Sequence, residues 1–225
     1  MKTAAPRIGM DRFVDADWMG LAAAVVRGEM AVDGLHARLI ADIPGVQVQR
    51  KTIGIINSMW FPADQAGRDI AATAAEIALE DGGARVAAFE AVAIATYPYF
   101  RQVVENLGRL LRLQDTCSAG EVHRRMFEEH GKRSTIDQAT SYSFKTMVSW
   151  GMIERQVDRR LGHARPLTIN PDAKKLLDLA ANKSRRSVMP LTASDPLLFP
   201  FSLVSSQSPA RQSAGQGTVT GKQYG

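Results

Sequence analysis

Hydrophobic positions recur along this chain at the 3.6-residue period of amphipathic helices, and the period changes to two only near residue 153. In Ala119–His130, Val122, Met126 and Phe127 share one face while Arg124, Arg125, Glu128 and Glu129 take the other. Ser118 and Glu121 stand at capping-box spacing, and Gly131 suits the helix end. A longer helix follows over Thr135–Trp150, capped by Ser134 or Thr135. Ile136, Ala139, Phe144, Met147, Val148 and Met152 are inward, and Gln138, Ser141, Tyr142, Lys145 and Ser149 form a polar face.

Beyond Trp150-Gly151, Ile153, Arg155 and Val157 alternate as a half-buried strand should, and Leu167 with Ile169 repeats the alternation. The basic loop Asp158–Pro166 joins these two runs. Pro171-Asp172 then opens a helix over Ala173–Ala181 whose Leu176, Leu177 and Leu179 pack inward. The reading is mainly α, with a small two-stranded wing at 153–169.

The same periodicity predicts helices upstream. Asp15–Arg27 carries Trp18, Leu21, Val25 and Val26 inward, Val32–Ile43 carries Leu35, Leu39 and Ile40, and Gln47–Trp60 carries Val48, Ile53, Ile56 and Met59. These make a helical unit at 1–62 that is either a second helix-turn-helix or a three-helix packing unit, and Phe61-Pro62 leaves no wing after it. Alanine-rich helices at Asp64–Glu80 and Ala84–Tyr97 form a connector at 63–98, and Tyr99–Gln114 opens the next unit. Tyr97-Pro98-Tyr99-Phe100 is either a core-forming helix start or a stacking platform for bases.

From 183 to 225 the composition shifts to Ser, Gln, Gly and Pro, and this tail is expected to be mostly disordered. Its apolar island, Pro196–Leu203, must dock on the chain's own surface or on a protein partner, the partner contact running through Leu197–Leu203. Lys183-Ser184-Arg185-Arg186 is either a phosphate-contacting run or a solvated hinge.

Charge sharpens the picture only locally. The net charge is +5, but the tail holds most of the excess, so a DNA footprint on residues 1–182 requires clustering. Residues 120–165 provide it, with nine basic side chains against six acidic ones. Gln can pair with adenine and Lys can reach guanine or phosphate. Gln138, Ser141, Tyr142 and Lys145 therefore suit base edges, though the same face suits a solvated helix surface. Arg155, Arg159, Arg160 and Arg165 on the wing, with Arg124, Lys132 and Arg133, suit backbone phosphates or the minor groove.

Other chemistry finds little support. The single Cys117 excludes an internal disulfide and a cysteine zinc site, which fits a reducing compartment. His36, His123, His130 and His163 lack ligand-spaced partners, and Asp81-Gly82-Gly83-Ala84-Arg85 lacks the lysine and hydroxyl of a phosphate loop. No catalytic, metal or cofactor residues are read. No apolar run reaches bilayer length and Met1–Asp11 lacks a secretory pattern, so a cytoplasmic protein without membrane contact is expected.

In the order of its elements and the hydrophobic-Gly-hydrophobic junction at Gly151-Met152-Ile153, the segment 99–182 resembles a winged helix-turn-helix domain. The resemblance implies that Thr135–Ser149 is the recognition helix, that Arg159, Arg160 and Arg165 form the wing, and that the partner is double-stranded DNA. Winged helices also serve as protein adaptors, which is the alternative function, and two-fold DNA sites would suit a homodimer. The whole-chain order is also similar to the small DNA-binding A component of BREX phage-defence systems, which implies phage defence beside transcriptional regulation as a context.

Overall fold

A computed structural model describes residues 8–183 and 189–203. Most of the expectation of tail disorder, and all but Lys183 of the basic run, lie outside these residues.

Among the described residues the chain is mainly helical with a small sheet component. Helix α1 (Ala16–Val26) begins where the Asp15 carboxylate accepts from Asp17 N at 2.9 Å, and α2 (Val32–Asp42) and α3 (Val46–Trp60) meet at Gly45, whose φ of 89° no β-carbon favours. Helix α4 (Gln65–Glu80) is capped by Asp64, and α5 (Arg85–Thr96) is buried continuously from Val86 to Ile94. The alanines let neighbouring helices approach α5 closely enough to bury it on all sides. Helix α6 (Pro98–Leu111) starts on its proline.

Edge-to-face and tilted ring contacts run from Trp60 to Phe89, from Phe89 to Trp150 and from Trp150 to Phe100, with centroids 5.7–6.3 Å apart. The core is therefore one continuous cluster from Met10 to Phe199. Tyr97 and Tyr99 belong to it, their hydroxyls donating to Ile55 O and Ile136 O, so burial rules out a base-stacking platform there.

Strand β1 (Thr116–Cys117) leads through the Ser118–Glu121 capping box into α7 (Ala119–His130). Helix α8 (Ser134–Trp150) follows, with Arg133 at its N-cap and no side-chain cap, so neither Ser134 nor Thr135 serves as expected. Gly151, at φ 78°, turns the chain into β2 (Ile153–Arg155).

Here the expected pairing is corrected. β2 pairs with β3 (Leu161–His163) in register Ile153↔His163, and β3 also pairs with β1, giving the antiparallel order β1-β3-β2. Leu161 is buried in the strand while Val157, expected to face inward, is fully exposed at the turn. The sheet is three-stranded because Leu161 supplies the apolar contact that Val157 was assigned.

β4 (Leu167–Ile169) instead pairs in parallel with β5 (Phe201–Leu203), and α9 (Pro171–Asn182) follows it under an Asn170 cap. The apolar island thus docks on its own chain. Leu191 N donates to Asp178, and Arg112 donates to Ala193 O. Leu197, Leu198 and Phe199 are buried against α6. A β-carbon on Gly108 would stand 2.2 Å from Pro196 O, so the glycine is what admits the segment. Of the expected partner segment Leu197–Leu203, Leu197, Leu198 and Phe199 are thus enclosed, while Ser202 and Leu203 stay exposed. Ile40, Val48, Val148 and Leu179, expected inward, are exposed. No described helix is long and apolar enough to cross a membrane.

Candidate nucleic-acid interface

Helix α8 keeps Ile136, Ala139, Phe144 and Met147 in the core and also buries Thr140, Ser143 and Thr146. Thr140 and Ser143 donate back to Ile136 O and Ala139 O, so the helix satisfies their hydroxyls itself. Facing outward, Gln138 and Lys145 are exposed, Ser141 and Tyr142 are half-buried, and the apolar Val148 is exposed beyond them. The first four, with Ser134, Thr135 and Asp137, line one shallow depression of about 600 Å³. The structure thus brings together all four residues assigned to base edges.

Lys145 also borders a smaller groove of about 260 Å³ with Phe13, Val148 and Arg155. This groove is apolar between two cations and lies where α8 meets the hairpin. The docked tail segment does not occupy it, because that segment lies against α6 and β4.

The hairpin itself turns over Gln156–Arg160. Gln156 N donates to Arg160 O and Arg159 N to Gln156 O, which places Arg159 in the left-handed region at φ 67°. It is the one non-glycine described with positive φ, at a position that a three-residue hairpin normally gives to glycine. Arg159 is exposed, and Arg155 Nη1 reaches its carbonyl at 3.5 Å.

Arg160 has a different fate from its neighbour. Its Nε donates to Thr116 Oγ1 and its Nη2 to Thr116 O, both at 2.8 Å, so it fastens the hairpin to β1. Two of the three nitrogens of this guanidinium, expected to contact phosphate, are thus engaged at the sheet edge. Arg165 is exposed but lies in the link between β3 and β4, off the hairpin.

Arg124 on α7 and Lys132 in the turn after it line a depression of about 400 Å³ with His123 and Phe127. His123 connects this surface to α8, with Nε2 3.4 Å from Ser141 Oγ and Nδ1 3.2 Å from Asp137 Oδ1. Burial lowers the His123 pKa against the pull of Asp137, favouring the neutral ring. Arg133 turns back to donate to His130 O at 3.1 Å.

Two residues near this surface had no signal in the sequence pattern. Arg12 lies 5.8 Å from the Tyr142 ring centroid, and Phe13 walls the apolar groove. Both come from the segment before α1, which no helical or strand period marks. Asp137 was also passed over, although its carboxylate sits among the base-edge candidates.

Nothing in the described residues assembles a metal site of three or more His, Cys, Asp or Glu side chains. Cys117 is enclosed, and burial pushes its thiol up to about 11, which suits a packing role. No protein-family profile, characterised protein or solved structure matches this chain.

Proposed function

We propose that the chain is a non-catalytic double-stranded DNA-binding protein that uses α7, α8 and the β2–β3 hairpin as a winged helix. The observation that carries this reading is the shared surface of Gln138, Ser141, Tyr142 and Lys145 on α8, bordered at Lys145 by the hairpin's Arg155 and beyond it by Arg159. A helix with that face is dimensioned for the major groove. Its amide, hydroxyls and ammonium meet base edges, while hairpin guanidiniums fall on the adjacent backbone. Arg124 and Lys132 add a phosphate-facing flank.

The test is a fluorescence-anisotropy titration of the full chain against mixed-sequence duplex DNA at about 0.05 and 0.2 M salt. Salt-sensitive binding is expected. Arg155→Gln with Arg159→Gln should reduce the slope of log affinity against log salt by about two contacts' worth, roughly 1.8. Gln138→Ala should blur sequence preference with a smaller change in overall affinity. Binding that ignores salt and the hairpin variants sinks the reading.

One observation favours a second reading, a protein adaptor: the groove of Phe13 and Val148 is apolar and open. Its flanking cations Lys145 and Arg155 favour a polyanion.

A further inference from the structure

The segment preceding α1 runs along one flank of α8 in fixed register. Val14 N donates to Thr146 Oγ1 at 3.0 Å and Trp150 Nε1 donates to Val14 O at 3.1 Å. Ala16 N donates to Ser149 Oγ at 3.0 Å, and that hydroxyl donates to the Asp15 carboxylate at 3.0 Å. Positions 142, 146, 149 and 150 lie on one side of a helix, 142, 146 and 150 following one another at about one turn. Two residues of non-helical chain advance about as far as one such turn, so Arg12 falls opposite Tyr142 as Val14 falls opposite Thr146. The ring contact is what this register predicts.

Tyr142 is bracketed by two cations. Arg12 lies 5.8 Å from its ring centroid and Lys145, one turn along the helix, 5.4 Å. The Arg12 charge is also met by the Asp11 carboxylate, which Lys51 shares. Asp11 stands 3.2 Å from both Arg12 and Lys51. The Arg12 side chain is only 17% exposed, whereas Lys145 is exposed. Arg12 is thus placed to act on Tyr142 and not to reach a ligand directly.

Resting on the DNA-binding reading, we infer that Arg12 is a positioning residue for the DNA face: it holds the Tyr142 ring against Lys145, so that hydroxyl and ammonium meet the duplex as one preorganised unit. The N-terminal segment is then a working part of the interface, although it makes no contact with DNA.

The test uses the full chain and the same mixed-sequence duplex DNA. Arg12→Ala is expected to weaken binding about two- to fivefold, the range of one cation–π contact, with the salt slope unchanged. Arg12→Lys should restore most of the loss. In a Tyr142→Ala background the Arg12→Ala effect should disappear, which a merely structural role would not produce. Thermal melts of each variant check that all are folded.

If Tyr142→Ala and Lys145→Ala weaken binding but Arg12→Ala is neutral, or adds independently to Tyr142→Ala, the positioning role is overturned while the DNA reading stands. A slope that falls by about one contact in Arg12→Ala also overturns it, because Arg12 would then touch phosphate itself. If none of the three changes binding, the DNA reading fails and takes this inference with it.

Discussion

Two stretches outside the α-helices, one before α1 and one after α9, dock on helices far away in sequence, and the balance of contacts that holds them differs. The later segment is held by burial: Leu197, Leu198 and Phe199 are enclosed, and Gly108 on α6 clears space for their backbone. The earlier one buries Met10 and Val14 as well, and adds hydrogen bonds to hydroxyls and an indole on α8 that fix its register. An apolar plug stabilises the fold by area removed from water and is indifferent to small rotations. A polar seam fixes register, and register is what a recognition surface needs. The difference implies that the later segment supports stability and the earlier one supports the site.

The largest effects should therefore come from the plug. Leu197→Ala is expected to cost about 2–5 kcal/mol in chemical denaturation, and Gly108→Val at least as much, because the added carbons displace Pro196. At temperatures where these variants remain folded, their DNA affinity should match the parent chain. Lost affinity in a folded Leu197→Ala protein would break the division of labour.

Next comes a proton-linked effect on the same region. Glu90 is fully buried on α5, neither carboxyl oxygen has a hydrogen-bond partner among the described residues, and Asp195 of the docked segment adds repulsion. Burial first, and Asp195 second, raise its pKa well above the usual 4.5. A carboxyl raised on folding holds its proton better in the native state. Its contribution is full below the unfolded pKa and is lost as pH climbs through the folded one. Melting temperature should fall as pH rises above the usual carboxylate range, and Glu90→Gln should flatten that fall. An equal slope in Glu90→Gln would assign the pH response elsewhere.

Smaller is the expected cost of loosening the polar seam. Thr146→Val leaves the Val14 amide without its acceptor and should cost about 1–3 kcal/mol, while weakening DNA binding in the folded protein as well. A stability loss without a binding change would place both segments in the same class. Smallest is Arg159→Gly. Glycine relieves the left-handed conformation but frees the unfolded chain, so stability should stay within about 1 kcal/mol while salt-sensitive affinity drops.

The helices were legible because period and caps agree. Ala119–His130 is matched to the residue by Ser118, Glu121 and Gly131, and α3 begins one residue before the predicted start. The sheet was not legible. Its strands are two or three residues long, and alternation at Ile153, Arg155 and Val157 carries no preference between Leu161 and Leu167 as partner. The deciding contact is Arg160 on Thr116, in a strand too short to show any pattern. The parallel β4–β5 pair joins residues more than thirty apart, which no local signal reports, although the island that forms β5 stood out by its apolarity.

The four base-edge candidates on α8 were readable as a polar face and do line one depression. The N-terminal seam was hidden because its acceptors are Thr146 and Ser149 hydroxyls that look like ordinary surface. The buried stripe Thr140, Ser143, Thr146 on an otherwise apolar flank was the available clue.

Gly108 also sets an order of events in folding. The notch it leaves on α6 is filled only when Pro196–Phe199 arrives, nearly ninety residues later in the chain. At about 5–20 residues per second of synthesis, α6 waits roughly 4–18 s with this apolar surface open. During that interval α7, α8 and the β2–β3 hairpin can already make their own contacts, so this part of the molecule is expected to form before the notch on α6 is filled.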